Sequence, residues 1–248
     1  MSRYNEQNYQ DLASPNVLSA ALSRTFMARV FSWMFLALTI TAITSFVWAA
    51  TPSLSLLLIN ISADGTKMSF SVLGWIVMLA PLGFVLLMSF GIQKLPAPLM
   101  VLLFIVYSVL MGMSLSFLFL VYDLGTLGIT FGITSAMFGV MAVTGYVTKT
   151  DLTKFGSLLM MGLVGIIIAM VVNFFMRSEM MGYIISIIGV LIFTGLTAYD
   201  VQRLKKIGTM VDNSGSMVLK MSILGALTLY LDFINLFLFL LRLMGGRK

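Results

Sequence analysis

Two acids lie where acids are rare. Asp232 sits about halfway along an apolar run, Met221 to Leu243 (MSILGALTLYLDFINLFLFLLRL). At ~1.5 Å of rise per residue that run is long enough to cross a hydrocarbon core of ~30 Å. An ionised carboxylate in such a run is costly without a partner or a path to water, so intramembrane acids tend to face the bundle interior and to be functional. Asp200 closes the preceding apolar run (YIISIIGVLIFTGLTAYD) and is the best partner. In an antiparallel hairpin, facing residues have numbers that sum to a near constant. Asp200 and Asp232 centre on Ser216, inside a polar turn that includes Asp212, Asn213, Ser214 and Gly215. The hairpin therefore predicts that both acids lie at similar depth, displaced from the midplane toward the cytoplasm.

Two carboxylates ~4 Å apart repel by roughly 4 kcal/mol at an effective dielectric of ~20. Partial burial acts in the same direction. The pair is expected to hold one shared proton near neutral pH and to titrate as a unit. Such a di-carboxylate can sense pH as histidine does in other proteins. A plainer reading has Asp200 as an interfacial acid pairing with Arg203, and Asp232 bonded to Ser, Thr or Asn side chains in the bundle. Asn173 and Asn235 read as interhelical hydrogen-bonders.

The elements that must position these acids follow from composition. The chain has 248 residues, of which 60% are hydrophobic and 10% charged, with mean hydropathy +1.05. Soluble domains average about 25% charged residues, so this is an integral membrane protein. The net charge of +6 is carried in short loops and is read as topology, not as a nucleic-acid footprint. There is no cysteine and no histidine, which removes disulfides, thiolate metal sites, the usual neutral-pH titrator and the commonest transition-metal ligand. Metalloprotease chemistry fails on the same ground.

Seven apolar runs follow a polar segment: Val30–Ala50, Phe70–Phe90, Leu99–Val121, Ile129–Val147, Ser157–Phe175, Tyr183–Asp200 and Met221–Leu243. Residues 1–27 are expected to be a cytoplasmic tail, and 28–248 a seven-helix transmembrane domain. Pro81 should interrupt the hydrogen-bond ladder of the second span. In the fourth, Gly128, Gly132 and Ala136 fall at i, i+4 and i+8, which fits close helix approach or ordinary glycine content. Seven spans put the termini on opposite sides. Ten Lys and Arg fall on the N-terminal side against five on the other, which predicts a cytoplasmic N-terminus. The short loops point to a bacterial inner membrane.

The run Thr197-Ala198-Tyr199-Asp200-Val201-Gln202, followed about thirty residues later by Leu229-Tyr230-Leu231-Asp232-Phe233-Ile234-Asn235-Leu236-Phe237 and Leu240-Leu241-Arg242, closely resembles the Bax inhibitor family (the TMBIM or YccA-like membrane proteins). Phe26-Met27-Ala28-Arg29-Val30-Phe31 is similar to that family's entry into its first span. The resemblance implies an all-α fold of seven transmembrane helices, with two three-helix layers around a central C-terminal helix. It implies that Asp200 and Asp232 form a hydrogen-bonded, proton-sensitive pair. It also implies a pH-regulated calcium leak, or a protein that restrains cell death or modulates a membrane-bound AAA protease. One departure concerns an arginine that in the family latches the pair from the end of the second span. Here that end reads Phe90-Gly91-Ile92-Gln93-Lys94, so Lys94 is the one basic candidate.

Three functions compete. The first is a cation leak gated by Asp200 and Asp232, with Lys94, Arg203, Asn235, Tyr199 and Tyr230 as supporting residues. Carboxylates suit calcium, but a tight site wants six to eight oxygens, so the pair would be a transient station for a transported ion. No resident cofactor and no enzymatic activity are expected. The second is a regulatory protein acting on an AAA protease or a stress response. The third is an intramembrane aspartyl protease, in which two carboxylates share a proton to activate water. Tyr199-Asp200 fits that class, but Tyr230-Leu231-Asp232 lacks its flanking glycines and no later Pro-Ala-Leu element exists.

Overall fold

The computed structural model describes residues 15–61, 68–210 and 215–245. Residues 1–14 of the expected tail, and Asp212, Asn213 and Ser214 of the polar turn, lie outside the described residues. Seven helices are long and apolar enough to cross a membrane. In chain order these are α1 (Pro15–Ala50), α3 (Val72–Gly91), α4 (Ala97–Leu115) with its short continuation α5 (Leu118–Val121), α6 (Leu124–Val147), α7 (Thr153–Met176), α8 (Glu179–Met210) and α9 (Ser216–Met244). Between α1 and α3 the chain forms a two-turn helix, α2 (Pro52–Leu58). A two-stranded antiparallel ribbon follows, in which β1 (Ile59–Ile61) pairs with β2 (Met68–Phe70).

The helix starts follow local chemistry. Ser71 caps α3 by accepting from the Gly74 amide at 3.0 Å, and Asp123 caps α6 by accepting from the Thr126 amide at 2.9 Å. Each supplies an acceptor to a first-turn N–H that has no helical partner. Pro52 stands in the first turn of α2, where its missing N–H costs nothing. Helix α3 runs through Pro81, which is buried against its neighbours.

Burial sets the architecture. In the most apolar stretch of α9, 72% of residues are buried, against 6% in α7. Helix α9 packs on α1, α3, α4, α6 and α8, whereas α7 lies chiefly on α8. The final helix is thus the centre of the bundle, and α7 is its most peripheral member. Buried residues of α9, among them Ile223, Ala226, Leu229, Tyr230 and Phe233, join Phe26, Val30, Met100, Phe104 and Val201 in one core.

Two helices extend ten residues or more beyond their apolar runs. Helix α1 begins at Pro15, and Ser23, Phe26 and Met27 are buried. The Ser23 hydroxyl donates to the Lys205 carbonyl at 2.9 Å. Helix α8 continues ten residues past Asp200, to Met210. The two polar ends pack on each other at Gly208, where a side chain would press on Ser23 and Phe26. Hydropathy could not show this, because the contact lies beyond the apolar stretches.

The small-residue stripe behaves differently from close approach. A Cβ at Gly128 or Gly132 would meet open space. Close approach occurs instead at Gly145, where α6 lies against the backbone of Ala198 in α8, and at Gly112, where α4 lies against the backbone of Thr41 in α1.

Candidate functional site

Helices α8 and α9 bring the carboxyl groups of Asp200 and Asp232 into contact, close enough for each to act on the other. Both residues are buried, at 7% and 5% exposure. A carboxylate has no proton to give, so the contact is a hydrogen bond only when one of the two is protonated. The second oxygen of Asp232, Oδ2, is buried with no hydrogen-bond partner among the described residues.

Asp200 lines a cavity of about 270 Å³ at the N-terminal side of the bundle, and Asp232 does not line it. Arg203, one turn on, lines the same cavity and acts electrostatically on Asp200. Ser89 of α3, Ile92 at its C-terminal cap and Thr228 of α9 also line it. Lys220, near the start of α9, donates to the Ile92 carbonyl at 3.1 Å. This places a cation on the C-terminal end of α3, where the last carbonyls lack helical partners.

The supporting candidates divide. Arg203 joins the pair. Lys94 is exposed in the turn after α3, with its backbone N–H bonded to the Gly91 carbonyl, and it makes no ion pair among the described residues. The amine that holds this end of α3 is Lys220, which sequence reading missed because it sits on a different helix, 128 residues away. The Tyr199 ring lies over Gly156 of α7. The Tyr230 hydroxyl bonds the Thr41 hydroxyl at 2.8 Å, and Thr41 donates to the Ser108 carbonyl at 2.9 Å. Both tyrosines therefore tie helices together at one remove from the carboxyls. The Asn235 amide donates to the Leu231 carbonyl at 2.8 Å and faces a different cavity.

Just beyond Asp200, α8 grips the loop between α6 and α7. Gln202 donates to the Thr150 carbonyl at 2.8 Å and accepts from the Leu152 amide at 2.9 Å. Lys205 donates to the Tyr146 carbonyl at 2.6 Å and sits 4.7 Å over the Tyr146 ring. Lys206 bridges Asp151 at 2.8 Å. Hydrogen bonds from Lys206 and Thr153 hold the Asp151 carboxyl well below the usual carboxylate range. Among the described residues no three His, Cys, Asp or Glu side chains cluster as a metal site.

Comparison with known proteins places this arrangement. The family described as "Inhibitor of apoptosis-promoting Bax1" matches residues 23–248. The chain is 45% identical over 226 residues to "Inner membrane protein YbhL" of Escherichia coli (strain K12), covering 91% of this chain and 93% of that protein. It is 42% identical over 227 residues to an uncharacterized protein of Borreliella burgdorferi, covering 92% and 94%. An uncharacterized protein of Caulobacter vibrioides is 35% identical over 225 residues, covering 91% and 90%. With seven apolar helices and these relatives, it is a multi-pass protein of the bacterial inner membrane. The chain belongs to the Bax inhibitor family.

Proposed function

We propose that this protein is a pH-sensitive cation leak, with calcium as the transported ion and the Asp200–Asp232 pair as its gate. The observation that carries this reading is the contact between two buried carboxyls, one of which, Asp200, lines a cavity together with Arg203. With one proton between them the acids hold α8 and α9 together at that depth. Loss of that proton leaves two like charges in contact, which drives them apart and offers oxygen ligands to a passing cation. Among the described residues no third acid joins them, so the pair serves as a station and not as a tight calcium site. The N-terminus faces the cytoplasm in this reading, which puts the Asp200 cavity on the cytoplasmic side.

A protease with the same dyad would need a substrate strand to reach both carboxyls, and of the two only Asp200 lines the cavity. This favours gating over proteolysis. The test is calcium flux into proteoliposomes at a series of pH values. Asp200→Asn and Asp232→Asn each keep a hydrogen-bonding side chain but remove the shared proton, and each is expected to flatten the profile. A profile identical to wild type in both variants would refute the gate.

A further inference from the structure

The opposite end of the bundle holds a second cavity, of about 640 Å³, with different chemistry. Its polar lining comes from Asn173, Arg177, Ser178, Glu179, Asn235 and Arg242. Three of these present unused donors. The Arg177 and Arg242 guanidiniums make no ion pair or hydrogen bond among the described residues, and Glu179 bridges neither. Asn173 is 9% exposed. Its Oδ1 accepts from the Ser178 amide at 3.1 Å, while its Nδ2 has no acceptor among the described residues.

The arginine is seated on purpose-built backbone. Gly182, in the first turns of α8, lies directly under the Arg242 guanidinium, and any side chain there would collide with it and crowd the Asn173 amide. Arg177 ends α7 in the left-handed region, at φ 52°, and this turn brings the C-terminus of α7 and the N-terminus of α8 to the same cavity. The N-terminal end of α8 adds positive partial charge there. Two guanidiniums and one carboxylate leave the lining one positive charge in excess.

We propose that this cavity binds a phosphate-bearing anion. Guanidinium groups match phosphate oxygens in a two-pronged geometry, the Asn173 amide supplies a further donor, and the helix terminus favours negative charge. A calcium or other cation would meet the wrong sign. The cavity lies at span ends, the level of lipid headgroups, so the phosphate can come from an anionic phospholipid or from solution. This inference does not rest on the leak reading.

The experiment uses the full chain in nanodiscs of phosphatidylcholine with increasing phosphatidylglycerol, read by native mass spectrometry. A parallel calorimetric titration with inorganic phosphate uses the chain in a neutral detergent. Saturable binding in either arm is expected, weakened roughly tenfold in Arg242→Gln, the loss of one charge-assisted hydrogen bond. Arg177→Gln gives a second variant should the first fold poorly, and Arg242→Lys should recover part of the affinity. Binding in the lipid arm alone identifies a headgroup site, and binding in the phosphate arm identifies a soluble anion site. Absence of saturable binding in both arms, or equal affinity in wild type and both Gln variants, overturns the proposal.

Discussion

Lys220 of α9 holds the Ile92 carbonyl at the end of α3, at 3.1 Å. The bond closes one wall of the Asp200 cavity, because Ile92 and Ser89 line that cavity from α3. It is half-buried, and a charged donor on a terminal carbonyl contributes about 1 kcal/mol in such a setting. Lys220→Met keeps the aliphatic stem and removes the amine. It is expected to lower stability by about that amount and to raise calcium flux at the pH where wild-type flux is least. The chain has no cysteine, so Gln93→Cys supplies a unique probe. Its labelling should be faster when Lys220 is replaced; equal rates would mean that the bond does not restrain α3.

Gln202 is the clamp on the loop between α6 and α7, with both ends of one amide engaged. Gln202→Leu leaves the Thr150 carbonyl and the Leu152 amide without their partner, at a cost of ~1–3 kcal/mol. Thermal unfolding in detergent should show the loss. Hydrogen exchange should rise at Leu152 first, ahead of any change in α9.

Gly145 sets how near α6 comes to α8. A Cβ there would run into the Ala198 backbone, two residues from Asp200. Gly145→Val is expected to destabilise by ~1–3 kcal/mol through overpacking. It should also disturb the pH profile of flux, since it moves the segment that carries Asp200. Gly132→Val, over open space, is the matched control and should leave both stability and profile close to wild type.

The Asp151–Lys206 bridge is exposed, and its carboxyl is held below the ordinary range. A depressed carboxyl contributes its stabilisation above the unfolded-state value near ~3.9 and loses it only as pH falls through the lower folded value. Between about pH 5 and 8 this bridge therefore stays charged. Asp151→Asn should leave the shape of the flux profile unchanged over that window. A flattened profile would count against the proposed role of the buried pair and point to this loop instead.

Much of the fold was legible because apolar length is a strong signal. Seven runs of suitable length appear as seven helices. Hairpin arithmetic paired Asp200 with Asp232 from a symmetric turn alone, and the two carboxyls do lie near enough to act on each other. What escaped depended on contacts between distant segments. Lys94 is next to the end of α3 in sequence, yet Lys220 makes the bond, since only the packed bundle brings α9 past that helix end. Glycine spacing in α6 singled out Gly128 and Gly132, whereas Gly145 makes the close approach. A stripe of small residues shows where a helix can come near, and its neighbours decide where it does. The polar extensions of α1 and α8 were hidden because their mutual packing is unrelated to bilayer thickness.

The helix at the middle of this bundle is also the one translated after all the others. Until α9 leaves the ribosome, α1, α4, α6 and α8 lack the surface on which they converge, and their inward faces must rest on lipid or on one another. Assembly of the core therefore waits on α9, which supplies Ile223, Ala226, Leu229, Tyr230 and Phe233 to it.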